Sequence, residues 1–244
     1  MKNNKLSILT FRITSLLLIV VAILIFITWS EDNKKTHEIN NYLLDITNIT
    51  ISHDDSIPYM NIDFTELTKL NKDTIGWIKI DDTKINYSVV QSTNNEYYVY
   101  HNFEKEKSDA GWIFMDYKNS INELNNNTTI YGHNRLNQSM FSTLRKLLEK
   151  EWHENNKYIY FNTLNNKMTW EVFSVYMIPT EKYSSTNNFN SNEDYEDFLK
   201  LIKKRITIKL DVEVNTDDKI LTLYTCNRGN TKRIIVHAKL VYTN

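Results

Sequence analysis

The chain has 244 residues, 41% of them hydrophobic, and its 29 basic and 30 acidic side chains leave a formal net charge of −1. That balance provides no polyanion-binding surface, which excludes nucleic acid as an expected partner, and the length suits one sizeable domain plus an extension. A single cysteine, Cys226, rules out an intrachain disulfide and a thiolate zinc site built from this chain alone.

From Ile13 to Trp29 the run ITSLLLIVVAILIFITW carries no charge, and at the helical rise it spans about 26 Å, enough for a short membrane helix. A cleaved signal peptide is the competing reading, but no small-x-small site precedes Trp29-Ser30-Glu31. Lys2, Lys5 and Arg12 precede the span, so the N-terminal tail is expected on the cytoplasmic side and the large domain outside the cell. The expected layout is a tail over 1–12, a single-pass anchor over 13–29, a helical extension over 30–72 and a β-rich domain over 73–244. Spacings of three and four among Ile39, Leu43, Leu44 and Ile46, and among Ile62, Phe64, Leu67 and Leu70, predict two short amphipathic helices in the extension.

Beyond Thr74 the texture changes to short β-rich runs: TIGWIKI, KINYSVVQ, GWIFMDY, NTTIYGH, KYIYFN and KMTWEVFSVYMI. With the pair LTLYTC and KRIIVHAKLVY they make about eight strands, a density that suggests a closed barrel or sandwich. One or two turns of helix are expected over Asn95–Tyr100. A helix over Ser139–Lys150 would present Met140, Leu144, Leu147 and Leu148, and a longer one over Ser191–Ile206 has Ser191 and Asp194 as its capping pair.

Outside the reducing cytosol a lone thiol is a dimer link, an inert buried group or a working nucleophile. The last needs an acid–base partner and a group to hold the developing oxyanion. Among six histidines, His37 and His53 lie in the extension, His101 follows a tyrosine cluster, His153 sits in a polar stretch and His237 lies inside the final strand as a packing residue. His133 directly follows Thr128-Thr129-Ile130-Tyr131-Gly132, which places it at a strand end, as Cys226 is. Two such groups can meet at one mouth of a barrel. Of the nearby cations, Arg228 lies in a polar loop, whereas Arg233 opens the strand beside Cys226 and offers a forked donor.

Y-G-H-N at Tyr131–Asn134, T-L-Y-T-C at Thr222–Cys226 and T-K-R-I-I-V-H-A from Thr231 together resemble a sortase, one of the Gram-positive cysteine transpeptidases. I-N-Y-S-V-V-Q, N-N-E-Y-Y, A-G-W-I-F-M-D-Y, M-F-S-T-L and V-F-S-V-Y extend the resemblance to class B, over roughly Ile75 to Leu240. The resemblance implies a mainly β fold with helices, an eight-stranded calcium-independent barrel with N-terminal helices packed on it and a long helix before the cysteine strand. It needs no cofactor and no metal. It also implies a catalytic trio of His133, Cys226 and Arg233, with Asn95, Val99, Tyr131, Tyr183 and Thr225 contacting the substrate. The implied partners are surface proteins bearing a C-terminal sorting signal and an amine acceptor on a peptidoglycan precursor or, alternatively, on another protein as in pilus assembly. Ser88, Tyr224 and Ser184 depart from the family's usual Pro, Ser and apolar residues. A papain-like protease is disfavoured because its cysteine precedes its histidine; a non-catalytic membrane-tethered β-domain is the remaining alternative.

Overall fold

The computed structural model describes residues 2–54, 57–120, 122–179, 186–208, 210–226 and 232–244, with the side chains of 2–7 and of Cys226 outside that description. Tyr183, Ser184 and Arg228 lie outside the described residues.

Helix α1 (Lys2–Ile46) runs unbroken for 45 residues, or about 68 Å at the helical rise. Its apolar part has a mean hydropathy of 2.7, is long enough to cross a membrane and is not buried against the protein. Past it the composition turns amphipathic: Thr36, Ile39, Asn40 and Leu43 return every three or four residues and are buried, which docks this part of α1 on the barrel. The apolar span and the first helix of the extension are therefore one element.

The second predicted helix is present but short, and a hairpin precedes it. Residues 50–61 form a hairpin of β1 (Thr50–Asp54) and β2 (Ile57–Asn61), and only Thr65–Leu70 is helical, as α2. The signal was period two: Pro58 and Met60 are buried while their neighbours are partly exposed. Their carbonyls accept from the Thr169 hydroxyl at 2.5 Å and from Asn162 Nδ2 at 2.7 Å, so the hairpin's backbone is satisfied by barrel side chains.

Eight strands close the barrel: β3 (Thr74–Lys79), β4 (Asn86–Val90), β5 (Phe114–Met115), β6 (Asn127–His133), β7 (Tyr158–Thr163), β8 (Met168–Pro179), β9 (Ile220–Cys226) and β10 (Lys232–Thr243). Their order is β10-β8-β7-β3-β4-β5-β6-β9, returning to β10. Trp77, Trp170, Phe161, Phe173, Leu223 and Ile235 fill the core. The β6–β9 pair is parallel and needs a long crossover; β7, β8 and α4 (Asn192–Lys204) supply it. Ser191 caps α4 by accepting from the Asp194 amide, as its sequence predicts, and Tyr195, Leu199 and Ile202 are buried beneath it.

The predicted helix at Ser139–Lys150 divides in two. Ser142–Leu148 is a 3-10 helix, Glu149 is extended, and α3 covers Lys150–Asn155. The spacing of three between Leu144 and Leu147, both buried, matches the tighter repeat. Over Asn95–Tyr100 only Tyr97–Val99 is helical, again as 3-10.

His237 is fully buried between Tyr176 and Thr222. Thr222 spends its hydroxyl hydrogen on Asn127 Oδ1 at 2.6 Å, so it accepts from His237 Nδ1, and Nε2 accepts from the Tyr176 hydroxyl at 2.9 Å. Burial, with Arg205 nearby, pushes the His237 pKa down to about 3. The unfolded chain then binds the extra proton first, so the stabilisation is complete above about 6.5 and is lost as pH falls toward 3. The urea midpoint is expected to drop across that window, at about 1.4 kcal/mol per unit at most, and His237→Gln should flatten the drop; an unchanged slope contradicts the assignment.

Candidate functional site

Strands β6 and β9 run side by side in parallel, with Tyr131 opposite Tyr224, Gly132 opposite Thr225 and His133 opposite Cys226. Side chains alternate along a strand, so Tyr131, His133 and Tyr224 share one face of the sheet, and Cys226 stands at the register position opposite His133. Strand β10 pairs with β9 on the other side, Ile235 opposite Tyr224, and Arg233, two residues nearer the start of β10, reaches the Thr225 carbonyl. The histidine, the cysteine and the arginine thus occupy three adjacent strand ends at one mouth.

His133 is buried, and its Nε2 lies 2.9 Å from the Val99 carbonyl oxygen. A carbonyl only accepts, so Nε2 carries a hydrogen and Nδ1 is the nitrogen whose protonation can change. Gly111 makes room for the His133 ring, and Gly132 for that of Phe141. Gly111 has φ +57°, and a Cβ there would fall 2.5 Å from the Tyr98 carbonyl oxygen and 3.0 Å from His133 Cδ2. A Cβ on Gly132 would fall 2.7 Å from the Phe141 ring.

Arg233 donates from Nη1 to the Thr225 carbonyl at 3.1 Å, and its guanidinium sits 5.1 Å from the Tyr224 ring centroid. Its Nε is buried and, among the described residues, has no hydrogen-bond partner. An orphaned donor on a charged group is costly unless something accepts from it. Tyr224, where the family commonly has Ser, thus holds one face of Arg233 and meets the Tyr131 ring edge-on at 5.5 Å.

Asp116 is the residue sequence reasoning missed. It is buried; its Oδ2 accepts from the Tyr131 hydroxyl at 2.8 Å and from Asn95 Nδ2 at 2.9 Å, and its Oδ1 accepts from the Lys118 amide at 2.9 Å. One carboxylate thereby fixes two of the predicted substrate contacts. The signal lay in the A-G-W-I-F-M-D-Y run, but nothing there says which chain segments the aspartate would gather. Val99 enters through its carbonyl at His133. Thr225 is fully buried, and its hydroxyl accepts from the Ile234 amide at 2.9 Å, so it ties β9 to β10.

Two of the other histidines are engaged locally. His101 stacks on Tyr97 with ring centroids 4.1 Å apart, and His153 bonds the Leu147 carbonyl at 2.8 Å, with its pKa lowered by burial. Ser88, at the usual proline position, is buried and its hydroxyl accepts from Trp112 Nε1 at 3.0 Å.

The sequence model described as a Sortase domain matches residues 78–241. Sortase B of Listeria monocytogenes is 37% identical over 163 residues, which cover 66% of this chain and 66% of that protein, just under two thirds of each. The crystal structure of sortase B from B. anthracis in complex with AAEK1 superposes with a TM-score of 0.77 at 34% identity, covering 86% of this chain and 98% of that one. A Staphylococcus aureus sortase B–substrate complex gives 0.70 at 39% identity, covering 73% and 84%. With a family match over most of its length and the eight-stranded barrel in common, the chain belongs to the sortase family of cysteine transpeptidases, in class B.

Proposed function

We propose that this sortase is a membrane-anchored transpeptidase that cuts a C-terminal sorting signal after Thr and transfers the surface protein to an amino group of cell-wall peptidoglycan. The observation that carries the reading is the strand register that sets His133 opposite Cys226, with Arg233 bonded to the carbonyl of the preceding residue, Thr225. The Cys226 thiolate attacks the Thr carbonyl carbon, and Arg233 stabilises the oxyanion that forms. The intermediate collapses as imidazolium His133 gives its proton to the departing amine, leaving a thioester. An acceptor amine then attacks the thioester, surrenders a proton to His133 and expels the thiolate.

Asn95, Val99 and Tyr131 line the path of the sorting signal in this reading, while Thr225 holds the strand end that carries the cysteine. That a S. aureus relative was solved as a substrate complex supports a substrate-binding role for this barrel. The apolar part of α1 anchors the chain, with residues 1–12 inside the cell and the barrel outside. Because α1 continues without a break from the apolar run to the residues that touch the segments beside His133, the catalytic mouth sits close to the bilayer in this reading, where a substrate held by its own membrane segment presents its cleavage site.

The test uses the full chain in detergent micelles with a panel of peptides copied from the C-terminal sorting signals of the same cell's proteins. Cleavage after Thr, with triglycine or hydroxylamine recovered on the new C-terminus, is the expected result. Cleavage that never incorporates either amine would make the enzyme a hydrolase.

A further inference from the structure

We infer that Asp32, on the anchor-bearing helix α1, is a positioning residue for His133, so that this helix belongs to the catalytic apparatus as well as to the anchor. The inference rests on the transpeptidase reading of the His133 site.

Asp32 lies three residues beyond Trp29, the last residue of the apolar run. Its carboxylate accepts from the Ser108 hydroxyl at 2.6 Å, from the Ala110 amide at 3.1 Å and from Arg135 Nη2 at 3.3 Å. The neighbouring Asn33 Oδ1 accepts from the same Arg135 Nη2 at 2.5 Å and from Asn137 Nδ2 at 2.8 Å. These donors come from the two segments that wall the catalytic imidazole. Ala110 precedes Gly111, whose missing Cβ leaves the space taken by His133 Cδ2. Arg135 follows His133 by two residues, and Ser142 closes that turn by bonding the Arg135 backbone. One carboxylate on α1 therefore ties the loop beside His133 to the segment that follows it.

The pair is secluded. The Arg135 side chain is 10% exposed and that of Asp32 18%, so water screens their attraction weakly. Burying an ion pair is a poor way to add stability, since an apolar contact of similar size does as well, and its better attested use is to fix one arrangement among several. Ile39 and Leu43 already dock α1 through the core. That leaves register, not adhesion, as what Asp32 contributes. Catalytic geometry is sensitive to this: a misplacement of about 1 Å costs up to about 10²-fold in rate.

The experiment measures kcat and KM on the full chain in detergent micelles, with a sorting-signal peptide that the wild type cleaves. Asp32→Asn, which removes the charge at constant shape, is expected to lower kcat about tenfold and leave KM within about twofold. Leu43→Ala weakens the same docking helix away from the site; it should lower the thermal midpoint and keep wild-type kcat. If Asp32→Asn fails to fold, Ser108→Ala removes one of the three bonds and should lower kcat about threefold at unchanged KM. Wild-type kcat in the folded Asp32→Asn or Ser108→Ala chain overturns the inference, as does an equal loss in Leu43→Ala. A wild-type chain without turnover overturns the function, and this inference with it.

Discussion

Replacing Arg233 by Gln is expected to lower kcat/KM for sorting-peptide cleavage by about 10²–10³-fold, the usual cost of losing one preorganised oxyanion donor. The side chain is already committed: Nη1 is held by the Thr225 carbonyl, the guanidinium face lies on Tyr224, and Nε is buried without a partner among the described residues. Its donors therefore need little reorganisation when negative charge develops, which is the condition under which such a group acts on the transition state more than on the ground state. Arg233→Lys separates charge from geometry. A lysine keeps the charge but not the fork that the Thr225 carbonyl and Tyr224 hold in place, so most of the loss should persist. Full activity in the lysine variant would show that a diffuse positive charge suffices and would remove the oxyanion role assigned to the fork.

His133→Gln should cost about 10²–10⁴-fold, the range for a positioned acid–base group. Glutamine retains a donor toward the Val99 carbonyl at His133's position but cannot exchange a proton, so the fold of the mouth should survive while both transfers stop. The diagnostic is leaving-group dependence. An activated thioester or ester substrate, whose leaving group needs no proton, should recover a large part of the lost acylation rate in His133→Gln. Equal loss on amide and activated substrates would instead mean that the histidine acts by shaping the site.

Much of the architecture was legible because its determinants are local. The β-rich runs from Thr74 onward became barrel strands, and Ser191 with Asp194 marked the start of α4. His133 and Cys226 could be set at strand ends from their flanking residues, and the parallel register of β6 and β9 makes them neighbours. His237 was readable as packing from its place in an apolar strand. The β1–β2 hairpin was not, since its alternation spans only a few residues and its satisfaction comes from Asn162 and Thr169, more than 100 positions away. The two carboxylates that organise the mouth escaped for the same reason. Asp116 reads as a strand-end charge until Asn95 and Tyr131 are brought to it, and Asp32 reads as a solvated residue past an anchor until Arg135, 103 positions on, closes against it.

These long-range clamps also say where the barrel is tolerant. Ser88 and Tyr224 depart from the family's usual residues, yet each makes a specific contact, with Trp112 and Arg233 respectively. A Tyr224→Ser change toward the usual residue therefore exposes one face of Arg233 and removes the edge contact with Tyr131, altering the substrate side of the mouth while the strand pairing remains.

Cys226 is expected to carry the substrate as a thioester, which intact-mass spectrometry of the full chain detects. Mixed with a sorting-signal peptide and quenched in acid, the wild type should gain the mass of the peptide fragment ending in Thr, on the tryptic peptide holding Cys226. Hydroxylamine should remove the adduct as the hydroxamate, and Cys226→Ala should show none. Cleavage that proceeds in Cys226→Ala, or an adduct on any other residue, would contradict the mechanism.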